Sequence, residues 1–128
     1  MKFIIDRKLP ITPQVYEQVC LMIIEDKLQP NDKLLSVRDF AVEIGVNPNT
    51  IQKSYELLET SNVIYSVRGS GWYVSEDISV AKEIVEKLIN KKINNFILEI
   101  EKLGINKEEL AKRILRGEKT YEWNPKMC

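Results

Sequence analysis

Histidine is absent from the 128 residues of the sequence. Its absence excludes a histidine general base, Ser-His and Cys-His nucleophile pairs, and every metal site that needs a histidine ligand. Cysteine is scarce: Cys20 lies in an apolar helical pattern, and Cys128 is the final residue. Two such thiols make neither a disulfide framework nor a metal cluster, and they are typical of a reducing cytoplasm. We therefore expect a cytoplasmic location, no metal site and no cofactor.

The sequence also lacks an excess of charge of either sign. Lys plus Arg total 19 and Asp plus Glu total 19, so the formal net charge is zero, and the chain as a whole is not strongly basic. No apolar run approaches the ~20 residues of a membrane helix, and Phe3-Ile4-Ile5 is followed at once by charged residues rather than by the rest of a signal peptide. With 44% apolar and 30% charged residues, the composition predicts a compact domain with an appendage and no membrane partner.

The first predicted helix begins at Thr12-Pro13, with Thr12 as N-cap and Pro13 at the first helical position. It carries an apolar stripe of helical period and ends before the turn residues Gln29-Pro30. The stripe consists of Val15, Tyr16, Val19, Cys20, Ile23 and Ile24.

Two short helices follow, separated by a turn centred on glycine. Ser36 and Asp39 have the form of a capping box at the start of the first, and Gly45 is suited to end it. Asn47-Pro48 repeats the N-cap and proline signal, and the helix continues to about Thr60. This arrangement predicts a helix-turn-helix.

A β-hairpin is predicted directly after these helices. Val63–Val67 is rich in β-branched and aromatic residues, and Trp72-Tyr73-Val74 is the returning strand. Arg68-Gly69-Ser70-Gly71 forms the turn between them. The predicted fold is therefore mostly α with a small β-hairpin wing, a winged helix-turn-helix.

The second helix of a helix-turn-helix places its N-terminal turn in the major groove of DNA. Asn and Gln pair with adenine, and Thr offers a hydroxyl and a methyl group, so the polar residues at this position are candidate base contacts. The wing tip and the first turn of the preceding helix add cations and backbone groups for phosphates. The candidate DNA-binding residues are Arg38, Asn47, Pro48, Asn49, Thr50, Gln52, Lys53, Arg68, Gly69 and Ser70.

Each candidate also has a purely structural interpretation. Asn47 is an N-cap in any helical protein, the wing glycines serve any hairpin turn, and Arg38 has Asp39 and Glu43 as neighbours for surface ion pairs. The coincidence of these residues on one helix-turn-helix and one wing favours the DNA-binding interpretation.

From Ser79 the pattern is helical again, and Asn106 caps a last helix that stops near Gly117. The helix that starts at Ser79 carries a long apolar stripe. A small winged helix covers only part of such a stripe, and an uncovered apolar stripe is typical of an oligomer interface. The candidate dimer contacts are Val85, Leu88, Ile89, Ile93, Phe96, Ile97 and Ile100. Residues 1–75 are expected to form the DNA-binding domain, and residues 76–128 a helical dimerisation region with a tail.

Residues 13–74 resemble the winged helix-turn-helix domain of GntR-family bacterial transcription regulators. The short helical C-terminal part is similar to the YtrA-type subfamily, whose two C-terminal helices mainly form a homodimer. The matching segments are Tyr16-Glu17-Gln18-Val19, Leu34-Leu35-Ser36-Val37-Arg38-Asp39-Phe40-Ala41, Ile44-Gly45-Val46-Asn47-Pro48-Asn49-Thr50-Ile51, Leu57-Leu58-Glu59 and Arg68-Gly69-Ser70-Gly71-Trp72-Tyr73-Val74.

The resemblance implies a homodimer that binds a specific DNA operator, usually as a repressor, and the twofold symmetry of a dimer predicts that the operator is near-palindromic. The sequence shows no histidine, no recognisable carboxylate pair, no phosphate loop and no activated nucleophile, so we do not expect an enzyme. Leu35 stands where the family usually has proline, and Gln52 where many relatives have arginine, so a target sequence does not carry over. The alternative function is a winged-helix module for protein interaction without a specific DNA target. A small-molecule effector between the dimer helices or beside Trp72 is compatible with the sequence, but no residue identifies one.

Overall fold

The computed structural model describes residues 5–117, which form five helices and one two-stranded antiparallel sheet. Their order is a helix, a helix-turn-helix, a hairpin and two further helices, which confirms the predicted fold. Phe3 and Ile4 of the apolar N-terminal patch, and the predicted tail from Thr120 to Cys128, lie outside the described residues. The elements are α1 (Ile11–Ile24), α2 (Val37–Ile44), α3 (Pro48–Thr60), β1 (Ile64–Val67), β2 (Gly71–Val74), α4 (Ser79–Glu101) and α5 (Lys107–Arg116).

The chain divides into two compact units, one ending at Leu88 and one starting at Ile89. The first holds α1 to α3, the hairpin and the first part of α4. Ala81 and Val85 of α4 are buried in the core of this unit. The sequence places the boundary after residue 75, whereas in the structure these two side chains join the start of α4 to the first unit.

The core of the first unit forms where the apolar stripe of α1 packs against α3, which also contacts α2 and β1. Val15, Val19, Cys20 and Ile23 are buried, at the helical spacing that the sequence predicts. Burial, with a smaller effect from the charge of Glu17, raises the pKa of Cys20 to about 12. The thiol therefore stays protonated and acts as a small apolar side chain.

The predicted start of α1 is wrong. The helix begins at Ile11, and its N-cap is Pro10, which supplies no side-chain hydrogen bond. Gln14 binds the preceding segment instead, because its Nε2 donates to the carbonyl oxygens of Asp6, Leu9 and Pro10 and its Oε1 accepts from the Asp6 N–H. Pro13 lies within the first turn, where a missing N–H leaves no helical bond unmade.

The segment before α1 also contacts the turn of the helix-turn-helix. The guanidinium of Arg7 donates to the carbonyl oxygens of Ile44 and Gly45, at 2.9 and 3.2 Å. A cation at a helix C-terminus satisfies exposed carbonyls and favours the helix dipole. Arg7 thus stabilises the end of α2.

The wing is a hairpin in which Ile64 pairs with Val74 and Val67 with Gly71. A segment before α2 lies along the outer edge of β2: Asn31 donates to the carbonyl of Val74, and Leu34 donates to that of Trp72, both at 2.8 Å. This segment is therefore attached to the sheet. These bonds protect the edge of β2 from pairing with another chain.

The second unit contains the end of α4 and all of α5. Asn106 caps α5 as predicted, since its side chain accepts from the Glu109 N–H at 2.9 Å. Glu109 also pairs with Arg113 and Arg116, at 3.2 and 3.6 Å, and Gly117 ends the helix with φ of 60°. None of the helices within residues 5–117 is long and apolar enough to cross a lipid bilayer.

Candidate nucleic-acid interface

Side-chain caps fix both helices of the helix-turn-helix. The Ser36 hydroxyl accepts from the Asp39 N–H at 3.1 Å, and Oδ1 of Asn47 accepts from the Asn49 N–H at 2.9 Å. Between them Gly45 adopts the left-handed conformation, with φ of 71°, which ends α2 and lets α3 begin within three residues. The N-caps predicted at Ser36 and Asn47 are confirmed.

The N-terminal part of α3 presents one polar outer face and one buried face. Asn47, Pro48, Asn49 and Lys53 are exposed, and Thr50 and Gln52 are half-buried. Ile51, Ser54, Tyr55 and Leu58 face the core and are completely buried. Because the six candidate residues occupy the outer face of the helix start, their side chains or backbone are available to a ligand in solution.

Ser54 anchors α3 against α1. Its hydroxyl is buried and lies 3.1 Å from the carbonyl oxygen of Thr12 and 3.0 Å from that of Thr50. A hydroxyl donor shared between two helices fixes their relative position more specifically than apolar packing does. Ser54 is not among the residues predicted from the sequence, although a small polar residue inside an apolar helical face is a signal for such a contact.

Gln52 is partly engaged within its own helix. Its Nε2 donates to Oε1 of Glu56 at 3.1 Å, one turn further along α3. The amide oxygen of Gln52 and its second N–H are not used in this bond, so the side chain keeps a donor and an acceptor for a base edge. Glu56 places an anion on the same side of the helix.

Arg38 lies exposed in the first turn of α2. Among the described residues, the ion pairs join Lys87 to Glu83 and Arg113 and Arg116 to Glu109, so Arg38 is not held by Asp39 or Glu43. The surface-pair interpretation therefore has no support in the geometry. Its guanidinium is free to contact phosphate or a base.

The wing tip is a tight turn closed by the Ser70 N–H, which donates to the Val67 carbonyl at 2.9 Å. Arg68 and Gly69 occupy its centre, and Gly69 has φ of 77°, the conformation that a type II turn requires at its third residue. Arg68, Gly69 and Ser70 are exposed, while the Ser70 hydroxyl bonds to that of Tyr73. The turn projects one cation.

Lys33 adds a second cation beside the wing and is not among the residues predicted from the sequence. A Cβ placed on Gly71 would lie 3.2 Å from Cε and 3.9 Å from Nζ of Lys33, and the backbone of Lys33 bridges to Tyr73. No local pattern links a residue in an extended segment to a turn that lies so far along the chain.

A chain of aromatic rings joins the three elements that carry the candidate residues. Tyr55 of α3 meets Phe40 of α2 at 6.1 Å and Trp72 of β2 at 5.5 Å between ring centroids, both edge-on. Edge-to-face pairs at this distance are favourable beyond the area they bury. The residues on α2 and α3 lie on one helix-turn-helix, whereas the wing residues lie on a separate element that these rings attach to it.

Comparison with known proteins decides the family. Residues 11–74 match the model for bacterial regulatory proteins of the gntR family. The chain belongs to the gntR family. The matched segment runs from the first residue of α1 to the last residue of β2, so it spans every candidate DNA-binding residue of this GntR-family regulator.

Individual proteins agree with this assignment. The HTH-type transcriptional repressor YtrA of Bacillus subtilis is 34% identical over 104 residues, covering 79% of this chain and 78% of that protein. A GntR family transcriptional regulator from Listeria monocytogenes superposes with a TM-score of 0.78 at 38% identity, over 89% of this chain and all of the other. The DNA-binding domain of AraR in complex with operator ORE1 superposes with a TM-score of 0.50 at 27% identity, over 59% of this chain and 94% of the other. The chain is therefore a DNA-binding transcriptional regulator of the winged helix-turn-helix type.

Proposed function

We propose that this GntR-family regulator binds a near-palindromic DNA operator as a homodimer and represses transcription. The observation that carries the proposal is the exposed polar start of α3, fixed by the Asn47 cap and anchored from behind by Ser54. A helix held in this way enters the major groove with its N-terminal turn first. This assigns the chain a regulatory rather than a catalytic role, in the bacterial cytoplasm where its DNA is found.

Base reading is assigned to Asn49, Thr50 and Gln52. An amide side chain pairs with adenine through one donor and one acceptor, and a threonine methyl packs on thymine. Asn47 already accepts the Asn49 N–H through Oδ1, which uses part of the acceptor capacity of its side chain and leaves both amide N–H groups as donors for DNA.

Binding of the DNA sugar-phosphate backbone is assigned to the cations and to the free backbone N–H groups at the start of α3. Arg38, Lys53 and Arg68 sit on the three elements that approach the duplex, and Lys33 supports the wing. Phosphate contacts set the position of the protein on DNA but carry no sequence information themselves. The zero net charge of the chain predicts modest affinity for random DNA, because these cations are placed locally rather than in excess.

The second unit supports the dimer. None of its described residues is buried, and Ile89, Ile93 and Phe96 of α4 are 43%, 49% and 46% exposed. With α5, the end of α4 forms a groove of about 430 Å³, lined by Ile93, Phe96, Ile97, Lys107, Leu110, Ala111 and Ile114. Two helices are too few to bury a hydrophobic core alone. We therefore propose that the same unit of a second copy of the chain packs against this groove.

The proposed interface differs at one end from the sequence prediction. Leu88, Ile97 and Ile100 are half-buried, and Ile89, Ile93 and Phe96 are exposed, so all six remain available to a partner. Val85 is only 8% exposed because it packs in the core of the first unit. We therefore leave Val85 out of the interface and start it at Leu88.

Selection of duplexes from a library with a random central segment tests the DNA proposal. The purified full chain should enrich an inverted repeat whose half-site centres lie about 10 base pairs, or a multiple, apart. Binding to the enriched duplex should weaken as salt rises, because phosphate contacts release counterions. Recovery of no preferred sequence, or of a single unrepeated site, would contradict the proposal.

Sedimentation velocity tests the dimer. Ile93→Asp places a charge in the apolar groove and should convert the dimer to a monomer. Asn95→Asp is the matched control, because it adds the same charge at an exposed polar position of the same turn and should leave the dimer intact. A wild-type monomer at micromolar concentration, or equal behaviour of the two variants, would contradict the assigned interface.

A further inference from the structure

Glu59 links the DNA-reading helix directly to the wing. Its Oε2 atom accepts hydrogen bonds from the backbone N–H of Ser66 at 2.9 Å and from the Ser66 hydroxyl at 2.7 Å. Glu59 lies near the end of α3, and Ser66 lies in β1, opposite Trp72 of β2. One carboxylate oxygen therefore holds both the main chain and the side chain of a wing residue.

The strand register explains why the Ser66 N–H is available. In an antiparallel pair, alternate residues direct their backbone polar groups away from the partner strand. The carbonyl of Trp72, the residue opposite Ser66, also points outward and accepts from the Leu34 N–H at 2.8 Å. Both edges of the hairpin are thus held, one by Leu34 and its neighbours and the other by Glu59.

We propose that Glu59 is a positioning residue, which sets the wing tip relative to α3 so that Arg68 and the start of α3 contact the same duplex. A two-stranded hairpin is marginally stable by itself, so the direction of its tip depends on such anchors. The proposal rests on the DNA contact assigned to Arg68 above. Glu59 acts through the wing and makes no DNA contact of its own.

Simple electrostatics predicts the opposite effect for the same residue. Removal of an anion from a protein surface that faces DNA raises affinity, because repulsion of the phosphates is lost. Glu56 provides a matched control one turn earlier on α3: it is exposed, and its carboxylate bonds to Gln52 rather than to the wing. A loss of DNA affinity on removal of Glu59 would therefore indicate positioning of the wing, whereas a gain would indicate that only charge repulsion was removed.

The test measures affinity by fluorescence anisotropy, with the duplex enriched by the unaltered chain as probe. Glu59→Ala should weaken binding about tenfold, as for loss of a hydrogen bond to a charged group. Glu59→Gln keeps one acceptor for the Ser66 N–H and should lose only about threefold. Glu56→Gln removes the charge but keeps an acceptor oxygen for Gln52, so it should leave affinity unchanged or raise it.

The same titrations in an Arg68→Ala background separate positioning from general damage. If Glu59 acts by placing Arg68, Glu59→Ala should cost less than about twofold once Arg68 is absent, because coupled residues are not additive. Equal losses in both backgrounds, or unchanged or tighter binding by Glu59→Ala in the otherwise unaltered chain, would overturn the inference while leaving the proposed function intact.

Circular dichroism and urea unfolding accompany every titration. If Glu59→Ala does not fold, the DNA affinities of Glu59→Gln and Ser66→Ala provide the test instead. Each of these variants removes part of the hydrogen bonding between Glu59 and Ser66 and keeps the packing of the hairpin. Both variants binding as tightly as the unaltered chain would then overturn the inference. Failure of the unaltered chain to enrich or bind any duplex would overturn the proposed function and the inference together.

Discussion

The hydroxyl of Tyr55 donates a 2.8 Å hydrogen bond to the backbone carbonyl oxygen of Leu35. Tyr55 is completely buried, and burial raises the pKa of its phenol above the ordinary range, so the group remains a neutral donor. Leu35 stands just before the Ser36 cap of α2. The bond therefore attaches the residue that precedes α2 to the buried face of α3.

Tyr55→Phe should lower the free energy of unfolding by about 1 kcal/mol, because it leaves the Leu35 carbonyl unpaired while the ring packing with Phe40 and Trp72 remains. Urea unfolding measures the change. Tyr65→Phe is the matched control, since its hydroxyl bonds to Asn31 at the exposed surface and its loss should cost less. Equal losses for the two variants would contradict the structural role assigned to Tyr55.

The two wing glycines should differ in their tolerance of alanine. Gly71 has φ of 139°, and an added Cβ would lie 3.2 Å from Lys33, whereas Gly69 has φ of 77° and an added Cβ would meet no atom within 4 Å. Gly69→Ala should cost about 1 kcal/mol from backbone strain alone, and Gly71→Ala more, because it must also displace Lys33. The comparison uses urea unfolding, and a larger loss for Gly69→Ala would refute it.

The Cys20 thiol should make the free energy of unfolding depend on pH in the alkaline range. Its pKa is raised to about 12 in the folded chain, so above the ordinary value of about 8.5 the unfolded chain loses a proton that the folded chain keeps. The free energy of unfolding should therefore fall as pH rises, at up to about 1.4 kcal/mol per pH unit from this group. Below the ordinary value the group contributes no slope.

The measurement uses Cys128→Ser, in which Cys20 is the sole thiol, and compares it with the same chain carrying Cys20→Ala. The difference between their unfolding free energies should change between pH 9 and 11, within the window set by the ordinary value near 8.5 and the raised value. The Cys20 thiol should also react with Ellman's reagent only under unfolding conditions. Rapid reaction of the folded chain at pH 8 would show that Cys20 is not buried.

Local signals in the sequence predicted most of the fold. Ser36, Asn47 and Asn106 were identified as N-caps, and each accepts the backbone hydrogen bond that such a residue makes. Gly45 ends α2 as predicted. Caps and helix ends depend on residues within one turn, so sequence alone determines them well.

Contacts between distant segments could not be predicted in this way. Thr12 is a good N-cap by type, but Gln14 binds the carbonyls of the preceding segment and α1 begins at Ile11. Lys33 beside the wing and Glu59 bound to Ser66 depend on how the hairpin folds back on the helices. Such placements follow from tertiary packing, which no periodicity or spacing encodes.

The central claim is that the start of α3 reads bases while the cations hold the backbone. Its most direct test is the ratio of affinities for the enriched duplex and for a scrambled duplex of equal length, measured for Asn49→Ala and Lys53→Ala. Asn49→Ala should reduce the ratio about tenfold or more, as for the loss of a base contact. Lys53→Ala should weaken both affinities alike and leave the ratio unchanged. The account would be contradicted if Asn49→Ala left the affinity ratio unchanged, or if Lys53→Ala reduced the ratio to about one.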